Sequence, residues 1–270
     1  MEIVVAANAK LAEGPRWWNG RLYWVDIEGA KLYVWERPIS LDAMVGAVAP
    51  VDERRVLVAL ADRLALLDLE TERTETICAL PHGPDVRAND GACDAQGRFW
   101  FGTMALDERP GAGAFYRYDG ELTRIFDKVT ISNGLGWLSD GRMVYVDSPT
   151  GRVDIVEGGE RRQFAQVEGG LPDGLAVDDE DGVWIAVWGG HAVHRYDARG
   201  RLDAVLDVPA ENVTACCFGG DDGRSLFVTT AAPDGNVYVA EPGVSGPAAH
   251  VFHAGGASTA PSDAEDTSAE

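Results

Sequence analysis

Four polar side chains lie within two residues of a glycine, each at the start of a short apolar run. Carboxylate and amide oxygens are the donors that Ca²⁺, Mg²⁺, Mn²⁺, Fe²⁺ and Zn²⁺ accept. A set of only three or four protein ligands leaves positions open for water and substrate, as a catalytic metal requires. If the fold brings these side chains together, they predict a site for one divalent metal ion. They are Glu13, Asn89, Asn133 and Asp173.

Motifs for other catalytic mechanisms are missing from the sequence. It contains no serine nucleophile with a neighbouring histidine, no G-x-S-x-G, no H-E-x-x-H and no phosphate-binding loop. Asn-Gly and Asp-Gly pairs are ordinary turn formers, so any one of them alone is better explained as a turn. Their common position within a sequence repeat favours a shared site instead.

The elements that must position these residues come from a repeat of roughly forty residues. Short apolar runs begin at residues 20, 54, 97, 141, 182 and 223, and a second run follows each of them. The runs are rich in β-branched and aromatic residues, and no convincing helix pattern interrupts them. Six such units are typical of an all-β fold, a six-bladed β-propeller with a central channel.

The first strand of each unit precedes the glycine turn and is expected to line the channel. These strands begin near residues 13, 45, 89, 133, 173 and 214, so the four polar residues share one phase of the repeat. Residues far apart in sequence should therefore meet at one mouth of the channel. Asn133 is expected to point at the axis, and Gly134 to let backbone and ligand come close.

The second strand of each unit returns to the mouth, so the loop after it should also border the site. An N-terminal strand over residues 2–6 is expected to pair in the last blade, because an open sheet edge is a liability. The side chains that these loops bring to the mouth are expected to include Asp26, Glu28, Asp107, Asp147, Ser148, Trp188 and His191.

Composition limits the partners and the location. The chain of 270 residues has a net charge of −21, which argues against nucleic acid and against an anionic membrane surface. The N-terminus shows no secretory signal pattern and no apolar run approaches a membrane span, so we expect a cytoplasmic protein. We expect one propeller domain over residues 1–254 and a disordered acidic tail over 255–270.

Several long stretches resemble the senescence marker protein/gluconolactonase family of regucalcin-like sugar lactonases, from about Glu13 to Phe252. The resemblance implies a six-bladed propeller and metal-dependent lactonase activity. It implies that Glu13, Asn133 and Asp173 are metal ligands and that Arg87 and Asn89 contact the substrate. Asp107 stands where regucalcin-like members carry a sugar-contacting glutamate. The stretches are EGPRW, RANDGACDAQGRFWFGTM, ISNGLGW, YVDS, PDGLAVD, GVWIAVW and ACCFGG.

The resulting hypothesis is hydrolysis of sugar lactones, the aldonolactones, to aldonic acids. Asp173 is the expected general base, either directly or by holding the metal-bound water, and Arg87, Asn89 and Asp107 are expected to orient sugar hydroxyls. Two alternatives stay open: a related metal-dependent propeller esterase or organophosphate hydrolase, and a non-catalytic calcium-binding propeller. The expected partner is a small-molecule sugar lactone, and we expect a monomer or weak homo-oligomer.

Overall fold

The computed structural model of the protein describes residues 1–253, so the tail expected over 255–270 lies outside the described residues. Six four-stranded antiparallel sheets make up the fold. The first strand of each sheet contacts the first strand of the next, and the sixth contacts the first, so the ring closes around a channel. The six-bladed propeller predicted from the sequence is confirmed.

Each blade runs from an inner strand at the channel to an outer strand at the rim. The bounds for blades 1 and 2 are β2 (Ala12–Trp18), β3 (Arg21–Asp26), β4 (Lys31–Val34), β5 (Arg37–Ser40), β6 (Val45–Pro50), β7 (Arg55–Leu60), β8 (Arg63–Asp68) and β9 (Thr74–Ala79). Those for blades 3 and 4 are β10 (Val86–Cys93), β11 (Phe99–Ala105), β12 (Gly113–Tyr118), β13 (Leu122–Val129), β14 (Ser132–Trp137), β15 (Met143–Asp147), β16 (Arg152–Glu157) and β17 (Glu160–Gln166). Those for blades 5 and 6 are β18 (Leu171–Val177), β19 (Val183–Trp188), β20 (Ala192–Tyr196), β21 (Leu202–Asp207), β22 (Val213–Gly219), β23 (Ser225–Thr230), β24 (Val237–Ala240) and β1 (Glu2–Val5).

The N-terminal strand closes the ring, as expected from the sequence. Strand β1 pairs antiparallel with β24, with Glu2 opposite Val239 and Ile3 opposite Tyr238. Blade 6 therefore takes three strands from the end of the described chain and its outer strand from the beginning. A short 3₁₀ helix, Ser148–Thr150, follows β15, and across residues 1–253 there is no helix that could span a membrane.

All six inner strands are irregular close to the mouth of the channel. In each blade the register between the inner strand and its neighbour shifts within the first few residues. Such bulges bend a strand and re-aim its side chains, and they are common beside active sites. The shifts fall at Glu13/Arg16, Val45/Ala47, Ala88/Gly91, Ser132/Leu135, Pro172/Leu175 and Val213/Ala215.

Glycine in these bulges allows neighbouring inner strands to approach closely. A Cβ on Gly134 would lie 2.6 Å from the carbonyl oxygen of Asp173, and one on Gly46 would lie 2.3 Å from that of Asn89. The space expected beside Gly134 for a ligand is therefore filled by backbone of the next blade. That part of the prediction is wrong, because the tight contact is between strands.

The other end of the channel is covered by the segment after β24. The amide of Ala249 donates to the carbonyl of Trp17 at 2.9 Å, and the amide of Phe252 donates to that of Pro50 at 2.7 Å. Beneath this segment, the far halves of the inner strands present mainly apolar side chains, among them Cys216 and Phe218. The channel is therefore open toward solvent at the mouth, where the bulges lie.

Candidate metal and substrate site

A cavity of about 440 Å³ occupies the mouth of the channel. Four of the six bulges aim a carboxylate or an amide into it. Five of the six predicted site residues line this cavity, and each of them is at least nine-tenths buried. They are Glu13, Arg87, Asn89, Asn133 and Asp173.

The sixth predicted site residue, Asp107, does not lie in the cavity. Its side chain is 63% exposed and pairs with Arg109 at 2.8 Å. The chain turns after β11, where the amide of Glu108 donates to the carbonyl of Ala105 and Glu108 adopts a φ of 55°. This turn directs Asp107 away from the cavity and Glu108 into its lining.

Sequence reasoning missed Glu108 because a one-residue displacement within a turn leaves no periodic signal. The only available signal was the residue type, since Glu108 is the glutamate in the stretch GTMALDE. Of the other side chains expected from the second-strand loops, Glu28, Ser148 and Trp188 line the cavity. Those that do not line it are Asp26, Asp147 and His191.

Glu13 and Asp173 form a pair of buried carboxylates on blades 1 and 5. Glu13 accepts a hydrogen bond from the amide of Gly14 at 2.8 Å, whereas Oδ1 of Asp173 has no partner among the described residues. Burial, followed by the charge of Asp90, raises the pKa of Glu13 to about 8. Burial, followed by the charge of Glu13, raises the pKa of Asp173 well above its ordinary range. Two carboxylates that are buried together in this way stay ionised at neutral pH only if a positive charge compensates them.

Two amides complete the polar floor of the cavity. Asn89 accepts from Nη1 of Arg87 at 2.6 Å and donates to the carbonyl of Ser132 at 2.7 Å. Asn133 donates its Nδ2 to Oγ of Ser148 at 2.9 Å. Its Oδ1 receives only a long hydrogen bond, 3.3 Å from Asn89. The side-chain carbonyl oxygen of Asn133 is therefore held in place and can still accept a bond from a ligand.

Arg87 is a buried cation that lines the same cavity. Burial lowers its pKa, while the carboxylates of Glu13, Glu28 and Glu108 act in the opposite direction. Within residues 1–253 only its Nη1 atom donates to the protein, to Ala88 and Asn89. The remaining guanidinium donors are available to a ligand in the cavity.

The donors fit a divalent cation that prefers oxygen. Glu13 and Asp173 supply negative charge, one oxygen of Asp173 is unpartnered, and Asn133 presents a neutral carbonyl. In the part of the chain that the structure describes, no three His, Cys, Asp or Glu side chains are grouped to hold a metal. A third protein ligand here would be the amide of Asn133, and such an oxygen set favours hard cations over those that require thiolate or imidazole.

Comparison with known proteins places the chain in a family. The model of the SMP-30/Gluconolactonase/LRE-like region matches residues 11–232. Regucalcin of Danio rerio is 34% identical over 254 residues, which cover 86% of each chain. Pentonolactonase XacC of Haloferax volcanii is 33% identical over 255 residues, again 86% of each. The crystal structure of the calcium-binding protein regucalcin from Agrobacterium tumefaciens superposes with a TM-score of 0.89 at 26% identity, over 93% of this chain and 97% of that one. The family match covers every residue that lines the mouth of the channel except Lys10, and the chain belongs to the SMP-30/gluconolactonase/LRE-like family.

Proposed function

We propose that the protein is a lactonase that hydrolyses sugar lactones, the aldonolactones, to aldonic acids with the help of one divalent metal ion. The observation that carries the proposal is the buried pair Glu13 and Asp173 at the floor of an open cavity, with one carboxylate oxygen unpartnered. The activity in the name of the relative pentonolactonase XacC supports the choice of substrate class.

Glu13, Asn133 and Asp173 would hold the metal. When bound there, a divalent cation polarises the lactone carbonyl and stabilises the negative charge that develops on its oxygen. Glu13 and Asp173 contribute the charge that retains the cation. Asn133 is oriented for the same task by its hydrogen bond to Ser148.

Asp173 is suited to accept a proton. Its unpartnered Oδ1 can take a proton from the attacking water as the water oxygen bonds to the lactone carbonyl carbon. A bound cation beside it would keep the carboxylate ionised and so able to accept a proton. The bond between the carbonyl carbon and the ring oxygen then breaks, and the proton passes to the ring oxygen, which leaves a carboxylic acid and a hydroxyl.

The substrate hydroxyls meet groups with complementary hydrogen-bonding capacity. Arg87 offers its free guanidinium donors, and Asn89 keeps one lone pair on an Oδ1 that already accepts from Arg87. Glu108 offers acceptors from the same blade. A lactone that lacks the matching hydroxyls would leave these buried groups unpaired, which is the basis of selectivity.

A substrate panel tests the proposal with and without metal. Protein treated with chelator should lose aldonolactone hydrolysis, and addition of Ca²⁺, Mn²⁺, Mg²⁺ or Zn²⁺ should restore it. Aryl esters and organophosphates in the same panel test the related hydrolases, and we expect aldonolactones to have the highest kcat/KM. Full activity in protein shown to be metal-free by elemental analysis would contradict the proposed mechanism.

A further inference from the structure

A buried ion pair crosses the channel directly below the cavity. Arg16 follows the bulge of β2 in blade 1, and Asp90 lies in the bulge of β10 in blade 3. Nη2 of Arg16 lies 3.2 Å from Oδ1 of Asp90, and the two side chains are only 12% and 5% exposed. A charge pair this well buried is expensive to desolvate, so its place in the molecule needs an explanation.

Arg16 also binds the backbone of both bulges. Its Nη1 donates to the carbonyl of Pro15 at 2.8 Å, and its Nη2 donates to the carbonyl of Gly91 at 2.8 Å. Blade 2 lies between the two bulges, and the residue within its own register shift is Gly46, which packs against the backbone of Ala88 and Asn89. The guanidinium therefore links two blades that are not neighbours in the ring.

The position of Arg16 separates the two ends of the channel. It lines the apolar cavity under the C-terminal segment but not the cavity at the mouth. Glu13 lies three residues before it on the same strand, and Asp173 lies in the same carboxylate cluster. Asp90 directly follows Asn89, which lines the mouth cavity together with Glu13 and Asp173, so its charge lies close to a cation held between these two carboxylates.

Resting on the proposed metal site, we propose that Arg16 is a positioning residue for it. By pairing with Asp90 across the channel, Arg16 fixes the two bulges relative to each other. It also anchors Asp90 so that the metal is held by two carboxylates rather than three. The backbone amide of Gly91 also holds the Asp90 carboxylate, since it donates a hydrogen bond to Oδ1 of Asp90 at 2.7 Å.

The affinity of the site for metal should therefore depend on the balance of charge between Arg16 and Asp90 below it. Without its partner, the Asp90 carboxylate adds negative charge near the cation and is released from its anchor. Without Asp90, the guanidinium of Arg16 is an uncompensated positive charge at the same place. The two changes should therefore shift metal affinity in opposite directions, and together they should cancel.

The test is a double-mutant cycle measured by calorimetric titration with Ca²⁺ and with Mn²⁺, without any substrate. Arg16→Met should bind metal about tenfold more tightly and Asp90→Asn about tenfold more weakly. The double variant should return to within about threefold of the original affinity. Arg16→Lys keeps the charge and should stay close to the original affinity. Arg16→Gln removes the charge and should also bind metal more tightly, and it decides the question if Arg16→Met does not fold.

Arg195→Met is the matched control. It also breaks a buried pair, in which Nε of Arg195 lies 2.7 Å from Asp178, but neither residue lines the mouth cavity. It should lower the melting temperature without changing metal affinity. If Arg16→Met lowers stability but leaves metal affinity unchanged, as in this control, Arg16 is only structural and the inference is overturned. If the unaltered protein binds neither metal, the proposed metal site itself fails, and the inference fails with it.

Discussion

Asp173 and Asp178 lie at opposite ends of β18, and both are buried, with exposures of 5% and 3%. Asp178, at the far end, accepts hydrogen bonds from the amides of Glu180 and Gly182, the indole of Trp184 and the guanidinium of Arg195. Asp173, at the mouth, has an oxygen with no partner. One strand thus carries a fully satisfied carboxylate and an unsatisfied one.

Blade 3 repeats the satisfied arrangement at its far end. Asp94, at the far end of β10, accepts from the amides of Gln96 and Arg98, from Nε of Arg98 and from the indole of Trp100. At the mouth of the same strand, Asn89 lines the cavity, and Asp90 is paired with Arg16 and with the amide of Gly91, so its carboxylate is not left unpartnered. Buried polar groups are normally paired, so a carboxylate that the protein leaves unpaired is a sign of a ligand. The far-end carboxylates hold the turns of the blades, whereas Asp173 at the mouth keeps one oxygen that no described residue contacts.

The largest effect is expected for Asp178→Ala, on stability. The substitution leaves Nε of Arg195 and three other buried donors without their acceptor, so the free energy of unfolding should fall by about 3 kcal/mol. Urea unfolding measures it. Asp222→Ala, at a 67% exposed position, is the control and should change stability by less than about 0.5 kcal/mol. A small loss for Asp178→Ala would show that the far-end network is not structural.

The next largest effect is expected for Asp173→Asn, on the turnover number. Asp173→Asn keeps the shape but removes the base, so kcat should fall by roughly a hundredfold at saturating metal. Metal occupancy should be measured for the variant, because the substitution also removes a ligand charge. Recovery of full turnover once metal is saturating would show that Asp173 is only a ligand.

A smaller effect is expected for Asn133→Ala. The variant loses one neutral carbonyl ligand and keeps both carboxylates, so metal affinity should fall by about tenfold. Excess metal should restore most of the lactonase activity, since no proton acceptor has been removed. If kcat stays low when the metal site is full, Asn133 also acts on the substrate.

The smallest effect compares two neighbours in one turn. Glu108 lines the cavity, whereas Asp107 is paired with Arg109 at the surface. Glu108→Gln should raise KM for an aldonolactone by about fivefold, because one charge-assisted hydrogen bond to a hydroxyl is weakened. Asp107→Asn should leave KM unchanged. The reverse result in steady-state kinetics would favour the residue expected from the sequence.

The blades and their phase could be predicted from the sequence because they depend on local patterns. Turn residues and apolar runs recur in every unit, and the phase alone placed Glu13, Asn133 and Asp173 at one mouth. The bulges could not be predicted, since a register shift depends on how two strands pair. The link from Arg16 to Asp90 joins positions 74 residues apart and follows no repeat. That Glu108 rather than Asp107 lines the cavity depends on the positive φ of one residue in a turn, which the sequence pattern does not predict.

The closure of the ring by β1 has a consequence for how the chain folds. Glu2 pairs with Val239, so the first strand has no partner until nearly all of the described chain has been made. At roughly 5–20 residues per second, a ribosome leaves that segment waiting for at least about ten seconds. Five blades can form in order during synthesis, each from adjacent strands, but the sixth is completed last. A nascent chain of this protein therefore exposes an unpaired edge at both ends until its final contact is made, and that interval is when a chaperone or a second copy can intervene.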